Sequence, residues 1–247
     1  MANESGNKPV LMGIVNLTPD SFYAPSRAQS ASALAERVED LLSRGCTILD
    51  FGAVSTRPGA ADVCPEEEWR RLEPCLLAVR DDKRFRISID TFRSGIVRRA
   101  YDLAGPFIVN DISAGEDDPG MLGTVSELGL TYVAMHKRGT PGNMDSLTDY
   151  PRGVTCEVLD YFSVFEEKAA EYGIEDWILD PGFGFAKTIP QNWELLYNLR
   201  SFKRFGRPVL AGVADKRFTK DPAFNGGDVK KAEKLAVIGG ADILRIH

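Results

Sequence analysis

The sequence predicts an α/β chain folded as a single (β/α)8 TIM barrel over residues 1–247, with the eighth helix absent from this chain. Three observations predict it. Eight short apolar runs alternate with helical patterns from end to end, with no low-complexity tract, charge block or linker between them. Most runs are rich in Val, Ile and Leu and lack strict alternation, as strands buried on both faces do. The length of 247 residues, with 43% apolar and 27% charged residues, suits one globular domain of barrel size. A doubly wound sheet is the alternative, because periodicity does not report closure.

Strands are expected at 10–17, 47–52, 86–90, 107–111, 131–136, 177–180, 208–213 and 242–246. Leu34, Val38, Leu41 and Leu42 make the apolar stripe of a first helix, which Gly45 is placed to stop. Pro65 and three glutamates open the second, with Trp69, Leu72, Leu76 and Val79 inward. Pro74 should kink or split it. Further helices are expected at about 93–103, 118–128, 151–172, 190–200 and 228–238, the clearest being Pro190 followed by Trp193, Leu196 and Leu199. A missing eighth helix would leave part of the barrel wall uncovered.

The composition excludes several classes. A net charge of −6 and a pI near 5.1 argue against a nucleic-acid binder. No apolar run approaches the ~20 residues that cross a bilayer, and residues 1–8 lack a signal-peptide core. A cytoplasmic protein without a membrane partner is expected. Cys46, Cys64, Cys75 and Cys156 fit no zinc or disulfide spacing, so reduced thiols are expected. His136 and His247 are the only histidines, which excludes a three-His zinc site.

Nearly every strand carries a polar group at or just past its C-terminal end: Asn16, Asp50, Asp90, Asn110 with Asp111, His136, Asp180, Lys216, and Arg245 with His247. In a barrel these ends share the face where active sites are built. One such carboxylate is a helix cap; a ring of them calls for a polar ligand. Asp111 also reads as a turn residue, and Asp50 as an acceptor for a neighbouring loop. Arg57 and Arg245 supply forked donors for phosphate or carboxylate, and Lys216 a point charge. The ligand expected has an anionic end and a hydrogen-bond-rich end.

Seven ordered segments resemble the dihydropteroate synthase family. They are Met12-Gly-Ile-Val-Asn-Leu-Thr-Pro-Asp-Ser-Phe22, Asp50-Phe-Gly-Ala-Val-Ser-Thr-Arg-Pro-Gly59, Ile87-Ser-Ile-Asp-Thr91, Val109-Asn-Asp-Ile-Ser113, Met135-His-Lys-Arg-Gly-Thr-Pro141, Leu179-Asp-Pro-Gly-Phe-Gly-Phe185 with Lys187, and Arg245-Ile-His247. The resemblance implies a (β/α)8 transferase of folate biosynthesis. Its reaction condenses 6-hydroxymethyl-7,8-dihydropterin diphosphate with p-aminobenzoate and releases pyrophosphate through a carbocation-like path. It implies that Asp90, Asn110, Met135, Asp180, Lys216 and Arg245 hold the pterin, with Asp90, Asp180, Lys216 and Arg245 catalytic. Asn16, Arg245 and His247 would face the diphosphate, Asn16 also holding Mg²⁺. Thr18, Pro19, Asp20, Phe22, Thr56, Arg57 and Pro58 would form closing loops, and Phe183 would border the p-aminobenzoate pocket. Sulfonamide binding and a homodimer are implied as well. His136 reads as structural.

The chain departs from the family where Ser-Arg-Lys-Ser is usual after strand 7. Here the run is Ala214-Asp-Lys-Arg217, which keeps Lys216 but puts Arg217 where a Ser meets the p-aminobenzoate carboxylate. Val54 stands where many members carry Glu. A non-catalytic pterin-binding paralogue or regulator is therefore the second reading. A methyltetrahydrofolate methyltransferase is the third, disfavoured by the first two loops.

Overall fold

A computed structural model describes residues 8–17, 27–55, 63–140, 142–214, 216–225 and 228–247, with backbone alone for 27–30, 224 and 225. Eight parallel strands form one sheet in the order β6-β5-β4-β3-β2-β1-β8-β7. They are β1 (Val10–Asn16), β2 (Cys46–Gly52), β3 (Arg86–Asp90), β4 (Ile108–Asp111), β5 (Thr131–Met135), β6 (Trp177–Asp180), β7 (Leu210–Ala211) and β8 (Ile243–Ile246). A bridge between Leu179 and Val209 joins β6 to the start of β7 and closes the ring. The closed barrel, not the doubly wound sheet, is therefore the fold. The chain ends one residue past β8.

Among the described residues seven helices alternate with the strands: α1 (Arg27–Ser43), α2 (Pro65–Val79), α3 (Ser94–Ala104), α4 (Met121–Leu128), α5 (Val154–Glu171), α6 (Ile189–Tyr197) and α7 (Val229–Ile238). A single helical turn at Pro222–Asn225 precedes α7. The stripes read from sequence for α1, α2 and α6 are largely buried, with Leu42 only half-buried and Leu199 in the turn after α6. Leu34, Val38 and Leu41 of α1 are in the core, and the turn after the helix runs through Gly45 at φ +87°. Pro65 opens α2 with Glu66, Glu67 and Glu68 in its first turn, where the helix dipole favours anions. Thr188 and Gln191 form a reciprocal capping box at the start of α6.

Two expectations are corrected. Pro74 lies inside α2 without splitting it, and the helix runs on to Val79. Strand β7 is shorter than the apolar run 208–213: Pro208 has no N–H and the Val209 N–H is taken by the Asp242 carboxylate, so the strand starts only at Leu210 and ends at Ala211. The main core lies between barrel and helices and includes Leu49, Phe51, Ile89, Val109, Trp177 and Leu179. The four cysteines are free thiols, with Cys46 buried and Cys64 and Cys156 exposed. No described helix is long and apolar enough to cross a membrane.

Candidate active site

Strand parity decides which side chains reach the inside of the barrel. Met12, Ile48, Ile108, Val133, Ile178, Leu210 and Ile243 form a second apolar cluster, separate from the outer core. Side chains two residues further along a strand share that inner face. Those positions are Asp50 on β2, Asn110 on β4, Met135 on β5, Asp180 on β6 and Arg245 on β8, with Asn16 two further steps along β1. The pairs Asp50 with Ser88 and Gly52 with Asp90 carry the same row onto β3. One apolar layer thus closes the barrel floor, and a polar layer lies above it.

Asp50 organises that layer. Its carboxylate is fully buried, and Oδ2 accepts from Arg245 Nε at 2.7 Å and from Asn110 Nδ2 at 2.9 Å. Oδ1 accepts from Ser88 Oγ at 2.6 Å. The same guanidinium donates from Nη2 to Asp90 Oδ2 at 2.7 Å. Asp50 therefore holds barrel residues rather than a neighbouring loop, which corrects the sequence reading. One guanidinium serves two carboxylates here. Burial pushes the Asp90 carboxyl up to about 7; Arg245 opposes the shift and the Asp50 charge adds to it. Burial works against the charge on Arg245, but Asp50 and Asp90 outweigh it and hold the guanidinium above its ordinary range.

Asp180 faces this pair from β6. Its Oδ1 accepts from the Gly182 N–H at 2.8 Å, and burial raises its pKa against that bond and the charge of Lys216. Met135 is register-paired with Asp180 and buried. Lys216 is half-buried, with Nζ 4.9 Å from the Phe185 ring centre. Phe183 is buried and stacks on Phe218 with ring centres 5.8 Å apart.

The off-parity members belong to the helix side. Asp111 accepts from Tyr132 Oη at 2.6 Å, from Ser113 N and Oγ at 2.7 Å and from Gly115 N at 2.8 Å, the turn role open to it from sequence. His136 is buried, and its Nδ1 lies 2.9 Å from Lys187 Nζ. Burial, with Lys187 and Arg138 beside it, holds His136 well below its usual range and so neutral. Burial likewise pushes Lys187 down to about 7. A cleft of about 400 Å³ lies on this side, lined by residues including Lys137, Arg138, Arg152 and Glu157. Its cations are already paired: Lys137 with Asp117, Arg138 with Glu157 and Arg152 with Asp160. The converging carboxylates lie inside the barrel instead, and the site belongs there.

The structure thus joins Arg245 and Asn110 to Asp50, ties Asp90 to the same guanidinium, and sets Met135 and Asp180 on the same inner row. Asn16 is half-buried at the end of β1, and His247 is exposed. Arg217 is exposed, with its guanidinium 4.0 Å from Asp145. Thr18, Pro19, Asp20, Phe22, Thr56, Arg57, Pro58 and Asp215 lie outside the described residues. Sequence reasoning missed the roles of Asp50 and Ser88. The period-2 row from Ile48 and the β2–β3 pairing are the signals that find them.

Comparison with known proteins agrees with this fold. A family model for pterin binding enzymes matches residues 12–247. The dihydropteroate synthase of Synechocystis sp. is 38% identical, over 98% of this chain and 86% of its own length. That of Escherichia coli K12 is 35% identical, over 97% and 86%. A solved structure of Xanthomonas albilineans dihydropteroate synthase with 4-aminobenzoic acid superposes with a TM-score of 0.85 at 33% identity, covering 98% of this chain and 88% of that one. A Yersinia pestis dihydropteroate synthase in a sulfonamide drug complex superposes with a TM-score of 0.85 at 30% identity, covering 100% and 92%.

Proposed function

The chain belongs to the pterin-binding enzymes, among the dihydropteroate synthases, which are transferases; from that premise we propose that it condenses 6-hydroxymethyl-7,8-dihydropterin diphosphate with p-aminobenzoate and releases pyrophosphate. The observation that carries this reading is the inward row of Asp50, Asp90, Asn110, Asp180 and Arg245 above a closed apolar floor.

These residue types suit the chemistry. The 2-amino-4-oxo edge of a pterin presents adjacent donors that one carboxylate accepts together, and an amide such as Asn110 both donates and accepts at ring nitrogens. Departure of the diphosphate leaves positive charge on the exocyclic methylene. Carboxylates fixed inside the barrel, Asp90 and Asp180, attract that charge as it develops, so they bind the transition state better than the ground state. Arg245 and Lys216 bring positive charge to the same mouth, where they flank the pterin and favour an anionic substrate. The arylamine then attacks the methylene carbon and loses its proton. This route needs no protein nucleophile. Phe183, packed on Phe218, forms an apolar wall suited to the aminobenzoate ring.

Mg²⁺ fits this site as an ion carried with the diphosphate. Among the described residues no cluster of three acidic, His or Cys side chains is placed to hold a metal, while Mg²⁺ commonly keeps waters and phosphate oxygens and takes one or two protein oxygens. The Asn16 amide would supply such an oxygen, and the bound ion would neutralise charge on the departing diphosphate. A homodimer is part of the same reading. Val164, Tyr197 and Ile238 are 64%, 63% and 72% exposed and offer apolar surface for it. Light scattering at micromolar concentration tests it, and a clean monomer would refute it.

The deciding experiment measures pyrophosphate release from the pterin diphosphate with Mg²⁺, with and without p-aminobenzoate. Release that depends on p-aminobenzoate, with dihydropteroate seen by mass spectrometry, is expected. Binding without coupled product in a folded protein would overturn the synthase reading in favour of a pterin-binding paralogue.

A further inference from the structure

The turn between β6 and α6 carries Phe183 and the amide that bonds Asp180, and a buried lysine ties it down. Lys187 is 4% exposed. Its Nζ lies 2.9 Å from Gly182 O, 2.9 Å from Phe185 O and 2.9 Å from His136 Nδ1. Two acceptors belong to the turn itself and the third stands at the end of β5. One ammonium therefore closes the turn and pins it to the neighbouring strand.

The turn needs such a tie. Gly182 sits at φ +72°, and a Cβ there would lie 1.9 Å from His136 O, so the two backbones are in direct contact. Ala186 is at φ +50°, a left-handed conformation that non-glycine residues rarely adopt. Asn192 of α6 supports the far side, accepting from Gly184 N at 2.7 Å and donating to Lys187 O at 3.1 Å. A lysine buried only as filler would be worse than methionine, because its charge loses water and gains nothing. Here all three ammonium protons have acceptors. His136 is neutral and presents Nδ1 as the acceptor, which explains a buried histidine that faces away from the barrel interior.

We infer that Lys187, held by His136, is a positioning residue that fixes Phe183 and the 182–185 backbone, and so sets the p-aminobenzoate side of the site. The inference rests on the synthase reading for its substrate. The Asp180 main chain is held by β6 as well, through its pairing with Met135 and the bond from His136 N to Asp180 O at 3.0 Å, whereas Phe183 lies in the turn and has no strand to hold it. Loss of the tie therefore affects the two substrates unequally.

Three variants test it: Lys187→Met, His136→Leu, and His136→Asn, whose amide oxygen replaces Nδ1 as acceptor. In Lys187→Met and His136→Leu the KM for p-aminobenzoate is expected to rise on the order of tenfold, while the dissociation constant of the pterin diphosphate stays within about threefold. Exchange of the Gly184 and Phe185 amides should speed up on the order of tenfold. His136→Asn should stay near the parent enzyme in all three readouts. Val158→Ala on α5 serves as a control that lowers stability away from the turn. An equal KM change in Val158→Ala, or equal loss of both substrates in Lys187→Met, overturns the inference. If Lys187→Met does not fold, the two His136 variants decide, and indistinguishable KM values for them overturn it. If the parent chain makes no dihydropteroate, the synthase reading fails separately. Unchanged amide exchange in His136→Leu then overturns the role of Lys187 on its own.

Discussion

Asp50 shows how a residue that need not touch substrate can set the site. It accepts from Arg245, Asn110 and Ser88 while fully buried. Asp50→Ala would leave a buried guanidinium and an amide without that partner, a loss of about 3–5 kcal/mol when one side of a buried pair is removed. Urea unfolding measures it, and a cost under about 1 kcal/mol would show that Asp90 alone suffices for Arg245. Asp90 carries the second prediction. Its carboxyl is raised to about 7 by burial, above the ~3.9 of an unfolded chain. Its contribution to stability is therefore fully present below about pH 4 and lost as pH rises through about 7. On the proposed reading binding has the opposite sign, because only an ionised Asp90 carries the negative charge that would accept from the pterin. Affinity for the pterin diphosphate should be about tenfold weaker at pH 6 than at pH 8. Calorimetry at the two pH values checks this, and a profile in Asp90→Asn as steep as the parent's would assign the titration elsewhere. The residue types of the site were legible in the sequence; their sorting was not. Asn110 and Asp111 are adjacent, as are Met135 and His136, and only strand parity sends one inward and the other to the helices. A list of strand-end polar residues mixes the two sets.

Elements whose ends carry chemical punctuation were legible from sequence. Pro65 with its glutamates marks a helix start that the structure reproduces, and Pro190 marks another that the structure opens one residue earlier. The misjudged features depend on competition between local and tertiary terms. Pro74 removes one N–H from the middle of α2, yet the helix continues, because Trp69, Leu72, Leu76 and Val79 bury one face along its whole length. Packing has overridden a local penalty of ~3 kcal/mol. Pro74 is itself exposed, so replacing it disturbs no core contact. Pro74→Ala should therefore stabilise the fold by about 1–2 kcal/mol, part of the gain being offset by the freer unfolded chain. Thermal unfolding reads this directly. A lower melting temperature would mean that Pro74 is itself needed to seat the helix.

A barrel has no edge strand only if every seam closes, and the seams here are unequal. The β1–β2 ladder runs from Leu11 to Asn16, whereas β6 meets the β7 side through the Leu179–Val209 bridge and a bond from Leu179 N to Pro208 O at 2.9 Å. Closure was beyond the sequence because it rests on one bridge: the apolar run 208–213 marks a strand, but only Leu210–Ala211 forms one, and periodicity does not say what it pairs with. Asp242 compensates from the loop before β8. Its Oδ2 accepts from Val209 N at 2.7 Å and from Lys203 Nζ at 2.5 Å, holding the start of β7 beside β8. The seam should be the first part of the barrel to open, so the Leu179 amide should exchange faster than Ile89 or Val109 on β3 and β4. Asp242→Ala removes the tie and leaves the Val209 amide without its acceptor, at a cost of about 1–3 kcal/mol. If the seam is a local weak point, the variant speeds exchange at Leu179 more than at Ile89. If all three amides accelerate together, the barrel opens only as a whole, and the single bridge is as strong a closure as a full ladder.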